Sequence, residues 1–287
     1  MRVTFWGTRG SVPTPGPSTV RYGGNTSCVE MRTEAGTLFI FDSGTGIREL
    51  GLALARDGGP VAGHLLLGHT HWDHISGFPF FAPAYIPNTR LAIYGARNLD
   101  RSLRDVLAGQ MHHPYFPVPL GDLRAEMRFC ELGQGKIHVD DAVVRTSYLN
   151  HTAVCLGYRV EADGVSVAYI TDHEPHAAGE DGLRRGAVHA GDRRLIEFVQ
   201  GVDLLIQDAQ YTSEEYAARR GWGHGSTDYV VDVALEAGVR RVALFHHEPT
   251  HADEDIDRIL LASRKRAREA GSSLEVVGAA EREAIAV

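Results

Sequence analysis

With 287 residues, 43% apolar and 23% charged, the chain can bury a substantial core and has the balance of an ordinary globular enzyme. Its formal net charge is −8, and Lys136 and Lys265 are its only lysines, so broad electrostatic capture of a long nucleic acid is not expected. No run approaches ~20 uninterrupted apolar residues, which argues against a membrane span, and three cysteines far apart (Cys28, Cys130, Cys155) point to free thiols in a reducing, cytoplasmic setting.

In chain order, residues 2–6 (RVTFW) read as a first strand rather than as the apolar run of a secretory signal. A second strand is expected over 36–44 (GTLFIFDSG). Residues 46–59 (GIRELGLALARDGG) have helical spacing and a glycine stop. A buried strand over 62–69 (AGHLLLGH) delivers a cluster of polar residues, and 99–110 (LDRSLRDVLAGQ) read as a helix. The second half gives strands over 142–151, 153–172 (with a turn at 162–164) and 201–210. Helices follow over 226–238 and 252–271, with a strand over 239–247 between them. No linker or low-complexity tract divides the chain, so one domain over 1–287 is expected. Strand runs alternating with helices suit two sheets flanked by helices.

Metal-type or acidic residues stand where the strands stop: Asp42, His69, His151, Asp172, Asp208 and His246. Strand ends are where open sheets place their sites. The densest group lies in residues 68–77 (GHTHWDHISG), where His69, His71, Asp73 and His74 fall within six positions. In an extended segment His69 and His71 point to one side. Asp73 and His74 open the next turn and face a second point nearby. Two imidazoles for one ion and a carboxylate with an imidazole for its neighbour suit Zn²⁺ or a similar borderline cation.

This HxHxDH run resembles the signature of the metallo-β-lactamase superfamily. The resemblance implies an α/β (α+β) fold, an αββα sandwich of two mixed β-sheets flanked by helices, with a dinuclear metal site at one edge. It further implies ligands at His151, at Asp172 as the bridging carboxylate, and at His246. Asp208 and Glu174 are rivals for the bridge, and His247 stands directly beside His246. One ion would take His69, His71 and His151; the other would take Asp73, His74 and His246. Two Zn²⁺ are expected, with Mn²⁺ or Fe²⁺ as alternatives. Asp42 either orients a ligand histidine or caps the turn that follows it.

Residues 5–28 (FWGTRGSVPTPGP…RYGGNTSC), FDSGTG, DAQY and GHGST together resemble the branch that holds RNase Z and related phosphodiesterases. In that branch a histidine held by a strand-end acid acts on the phosphate, and His224 and Asp208 match those places, although this chain reads His-Gly-Ser-Thr with an inserted glycine. Two dications would make hydroxide available near neutral pH, with Asp73 among the residues that hold them. His224 oriented by Asp208 would serve the leaving oxygen. RNase Z proteins often carry a Gly- and Lys-rich arm that grips tRNA. Here residues 78–147 hold eight Lys/Arg against seven Asp/Glu, too balanced for such a clamp.

The expected substrate is therefore a small phosphodiester, most simply a cyclic nucleotide, with no membrane partner. An RNase Z-like nuclease and a hydrolase of lactones, esters or β-lactams are the alternatives. The resemblance also suggests a homodimer. His112, His113, Tyr115 and Phe116 either wall the pocket and stack on a base or pack as a loop on the body or a second subunit. His173, His176 and His189 read as solvated loop histidines, Arg9 and Arg21 as candidates to reach a phosphate, and Trp72 as a packing residue. The run RKRAREAG in the last helix reads as a solvated face.

Overall fold

The computed structural model describes residues 1–56, 59–97, 100–176 and 188–287. Its first half runs β1 (Arg2–Gly7), β2 (Cys28–Arg32), β3 (Leu38–Phe41), α1 (Ile47–Leu54), β4 (Ala62–Leu66), α2 (Trp72–Ile75), β5 (Arg90–Ala96), α3 (Leu103–Gln110) and β6 (Glu126–Leu132). The second half runs β7 (Gly135–Val139), β8 (Ala142–Leu149), β9 (Cys155–Ala162), β10 (Val165–Ile170), α4 (Ala190–Phe198) and β11 (Leu204–Asp208). After these come α5 (Ser213–Ala217), α6 (Thr227–Glu236), β12 (Arg241–Phe245), α7 (Asp253–Glu269), β13 (Glu275–Gly278) and β14 (Ala284–Ala286). The glycine stop expected at 58 and the helix start at 99 lie outside the described residues.

Among the described residues the strands form two seven-stranded mixed sheets, ordered β14-β1-β2-β3-β4-β5-β6 and β13-β12-β11-β10-β9-β8-β7. Side-chain alternation explains the layers. In β3, Phe39 and Phe41 enter the core between the sheets, while Leu38 and Ile40 pack under α1 and α3. In β11, Leu204 and Ile206 face the same inner core, and Leu205 packs with Val230 and Val233 of α6 and Ile256 of α7. Both faces of these central strands are covered, so their sequences are apolar throughout rather than alternating.

Strands β5, β6 and β7 were not expected from the sequence. They lie on either side of the loop read as a possible pocket wall, and β6 carries Glu126, Arg128 and Glu131, which break its apolar pattern. As the edge of its sheet it tolerates those charges. Helix α7 is more than a solvated face: Ile256, Leu260 and Ala267 are buried, and Arg266 pairs two nitrogens with both carboxylate oxygens of Asp232 at 2.7 Å. No helix among the described residues is long and apolar enough to cross a membrane.

The parallel strands β3 and β4 of one sheet and β10, β11 and β12 of the other all end at one edge of the sandwich. Two tyrosines span the sheets beneath that edge. Tyr158 of β9 donates to the carbonyl of Leu67 (2.6 Å), and Tyr169 of β10 donates to Asp42 Oδ2 (2.6 Å). At the same edge the loop after β3 is pinned to α2, with Ser43 N donating to His74 O at 2.7 Å. A Cβ on Gly44 would lie 2.2 Å from the carbonyl oxygen of Asp73. Because that neighbour is backbone, Gly44→Ala is expected to destabilise the fold by about 1–3 kcal/mol. Urea unfolding checks this, and an unchanged midpoint would contradict the tight seating of α2.

Candidate metal centre

Loops at this edge bring together the residues that sequence reading scattered along the chain. Asp42 follows β3, His69 and His71 follow β4, and Asp73 and His74 sit in α2. His151 follows β8, Asp172 follows β10, Asp208 ends β11 and His246 follows β12. The donor atoms sort into His69–His71–His151–Asp172 and Asp73–His74–Asp172–His246, each set with its atoms within 4.8 Å of one another. Asp172 belongs to both. Its Oδ1 lies 3.3 Å from His74 Nε2 and from His246 Nε2, and its Oδ2 lies 3.5 Å from His69 Nε2 and 3.6 Å from His151 Nε2.

The hydrogen bonds fix which nitrogens are free to ligate. His74 Nδ1 donates to Asp42 Oδ2 (2.8 Å), and His151 Nδ1 donates to the carbonyl of Gly223 (2.9 Å). His246 Nδ1 donates to Gln210 Oε1 (3.1 Å), while Gln210 Nε2 donates to Glu248 (2.7 Å), which orients the amide. Each histidine therefore turns a lone pair on Nε2 into the cluster. His74 Nε2 and His246 Nε2 are 3.3 Å apart, and His151 Nε2 is 3.1 Å from His71 Nδ1. His69 Nε2 is buried without a hydrogen-bond partner. Facing lone pairs and an orphaned buried nitrogen suit cations shared between donors, and the His/Asp composition suits divalent ions.

The electrostatics agree. Burial holds His69, His71 and His151 below the usual histidine range, so they stay neutral. At His74 burial is overcome by Asp73, Asp172 and Asp42, which push the ring well up. Burial would raise Asp172, but the surrounding imidazoles, His246 first, hold it well below the usual carboxylate range. Three carboxylates around one buried imidazole attract positive charge to this point.

Asp42 orients a ligand histidine, the first of its two expected roles. It also accepts from Gly68 N (2.7 Å) and adopts a left-handed backbone at φ 57°. His246 faces the cluster, whereas His247 Nε2 points away to the carbonyl of Ala279 (2.9 Å). His246 has φ 58°, and this departure from strand geometry aims its ring.

His224 Nδ1 lies 3.1 Å from Asp208 Oδ2 and 3.8 Å from Asp172 Oδ2, so the inserted glycine leaves the pair intact. Burial opposes a charge on His224, but Asp208 and Asp172 outweigh it and push the ring up to about 9. Sequence reading missed the role of Glu174. It does not bridge; one oxygen accepts from Tyr216 OH (3.1 Å) and Gly221 N (2.6 Å), and the other accepts from Gly223 N (2.9 Å). That clamp fixes the loop bearing His224 and the carbonyl that orients His151. Gly223 has φ 89°, and a Cβ there would lie 2.3 Å from His151 Nδ1.

Other expectations are corrected. His173 is buried, its Nδ1 accepting from Asn150 N at 3.1 Å, because Asn150 and Tyr229 enclose it. Arg9 is fully buried and donates to the carbonyls of Gly23, Glu248 and His251, so it fastens the N-terminal loop rather than reaching a phosphate. Arg21 is engaged by Asp253, Glu254 and Asp257. His112, His113 and Tyr115 are exposed, and Phe116 packs edge-on against Phe80, the loop reading rather than a ring against the cluster. Part of the polar stretch before His189 lies outside the described residues. Trp72 does not pack: it is 72% exposed.

Two sheets, a shared carboxylate and paired donor sets define a metal-dependent hydrolase of the metallo-β-lactamase fold. The chain belongs to the β-lactamase superfamily, whose domain model matches residues 37–247. Ribonuclease Z from Natronomonas pharaonis is 28% identical, over 88% of this chain and 89% of that protein. Human tRNase Z, short form, superposes with a TM-score of 0.67 at 20% identity, covering 100% of this chain and 99% of the other. Unliganded yeast PDE1 superposes with a TM-score of 0.66 at 17% identity, with the same coverage.

Asp42→Asn tests the centre through a residue that keeps a left-handed backbone tolerable while removing the charge behind His74. Metal affinity is expected to fall roughly 10–100-fold. Competition with a chromophoric chelator measures it; an unchanged affinity would contradict the assigned role of Asp42.

Proposed function

We propose that this chain is a dimetal phosphodiesterase of the RNase Z type, acting on a ribonucleotide phosphodiester. The observation that carries the reading is the His224–Asp208 pair, 3.1 Å apart and against the shared carboxylate Asp172. Hydrolysis of a lactone, ester or β-lactam gives that pair little to do, whereas a leaving alkoxide needs a proton or a hydrogen bond. The ribonuclease Z relatives, alike over almost 90% of both chains, favour RNA over the small cyclic diester expected from composition. The cyclic nucleotide reading rests on the charge balance of residues 78–147 and is the weaker of the two. One domain over 1–287 fits the pairing of β14 with β1.

In this reading His69, His71, His151 and Asp172 hold one divalent ion, and Asp73, His74, His246 and Asp172 hold the other, zinc being the ion that suits the donors best. When bound, the two ions supply an activated water near neutral pH and counter-charge for the phosphate. The chain supplies the rest. Ser11 N donates to Asp73 Oδ2 (2.7 Å) and holds that carboxylate in place. Asp208 accepts from His224 Nδ1 and leaves Nε2 for the leaving oxygen. Gln210 N (3.1 Å) and His173 N (3.2 Å) donate to Asp208 in turn and keep it oriented.

Asp73→Ala is expected to abolish hydrolysis of bis(p-nitrophenyl) phosphate by metal-reconstituted protein while the circular dichroism spectrum is retained; undiminished turnover would refute the dimetal reading. His224→Ala is expected to slow diesters with alkoxide leaving groups by about a hundredfold or more, and nitrophenolate release far less. Equal losses on both would remove His224 from leaving-group chemistry. A panel of pre-tRNA, cyclic mononucleotides, cyclic dinucleotides and a lactone then ranks the substrate classes, with pre-tRNA expected first.

A further inference from the structure

The chain has three tryptophans, and two of them, Trp72 and Trp222, are exposed by 72% and 61%. Each adjoins the candidate centre in sequence. Trp72 lies between His71 and Asp73, and Trp222 stands two residues before His224. His151 joins the two segments that carry them, with Nε2 3.1 Å from His71 Nδ1 and Nδ1 2.9 Å from the carbonyl of Gly223, so each tryptophan stands next in sequence to a residue that His151 touches. Their backbones are held firmly. Trp72 O accepts from Ser76 N (2.7 Å) in α2, and the amides on either side of Trp222 both donate to Glu174. Rigid backbone that presents a large aromatic ring to solvent beside a reactive centre is the arrangement of a stacking platform rather than of a packed core.

We infer that Trp72 and Trp222 are base-stacking residues for a single strand of RNA, gripping the nucleotides that flank the scissile phosphate. This rests on the phosphodiesterase reading above and names how its substrate is held. Charge favours that occupant. A chain in which 29 Lys and Arg stand against 37 Asp and Glu offers no net cationic field to a long run of phosphates, whereas stacking is sequence-tolerant and needs no cationic arm. A base also lies one sugar away from its phosphate, so rings beside the metal ligands are where flanking bases arrive.

The test uses the metal-loaded protein and a ten-nucleotide phosphorothioate RNA that resists cleavage. Binding is expected to quench indole fluorescence, leaving a residue from the half-buried Trp6. Trp72→Ala and Trp222→Ala are each expected to raise Kd about tenfold. With cleavable RNA the loss is expected on KM rather than kcat, and Trp72→Phe should recover most of it. Raising salt from about 50 to 200 mM should weaken binding less than about tenfold, against the roughly thousandfold of a protein that neutralises six or more phosphates. Absent quenching and unchanged KM in both variants would overturn the inference while bis(p-nitrophenyl) phosphate hydrolysis leaves the phosphodiesterase reading standing. Quenching without that hydrolysis would support the platform and sink the activity. A dimer by light scattering, with fluorescence that shifts to the blue as it forms, would assign the rings to contact between two copies and overturn the inference.

Discussion

The centre depends on one buried carboxylate that joins the two sheets. Asp42 leaves β3 in a left-handed conformation and accepts three donors: Gly68 N from the segment after β4, Tyr169 OH from the opposite sheet, and His74 Nδ1 from the ligand helix. An unpaired charge at zero exposure would be untenable, so the three donors and the carboxylate require one another. The consequence is geometric. His74 is held at the meeting point of sheets whose strand ends deliver His69 and His71 from one side and His151, Asp172, Asp208 and His246 from the other. A slip of either sheet would separate donors that lie 3.1 to 3.6 Å apart.

That arrangement explains what could be read in advance. The run His69–His74 is contiguous and follows an apolar strand, so its chemistry shows in six letters. The layers were legible for the same reason: the central strands are apolar throughout and stop at polar residues. Contacts across the sheets leave no such mark. Nothing local says that Glu174 clamps residues 221–223 rather than competing with Asp172, or that Arg9 is spent on three carbonyls. His246 and His247 could not be ranked from residue types because the backbone of His246 leaves strand geometry, and alternation no longer applies there. Edge strands β6 and β7 were hidden by charges that an edge tolerates, and the exposed ring of Trp72 was hidden because a large aromatic facing away from two ligands reads as a packing residue.

The substrate question turns on a contrast between the centre and the rest of the surface. The centre has the pieces for phosphodiester cleavage, with paired donor sets and a histidine backed by Asp208. The chain around it is acidic and almost without lysine. If the substrate is the ribonucleotide diester proposed above, that composition puts the weight of recognition on short-range contacts, stacking above all, rather than on a long-range field. It also accounts for the effort spent on holding loops still. Glu174, Gln210 and Ser11 each fix a segment beside the donors, and exposed rings anchored on such segments lose little freedom when a base covers them.

The central claim is that seven side chains from both sheets hold two divalent ions through the shared carboxylate of Asp172. Counting bound metal by inductively coupled plasma mass spectrometry, after zinc reconstitution and removal of excess ion, tests it most directly. The account predicts two ions per chain. One ion, or none, would contradict it.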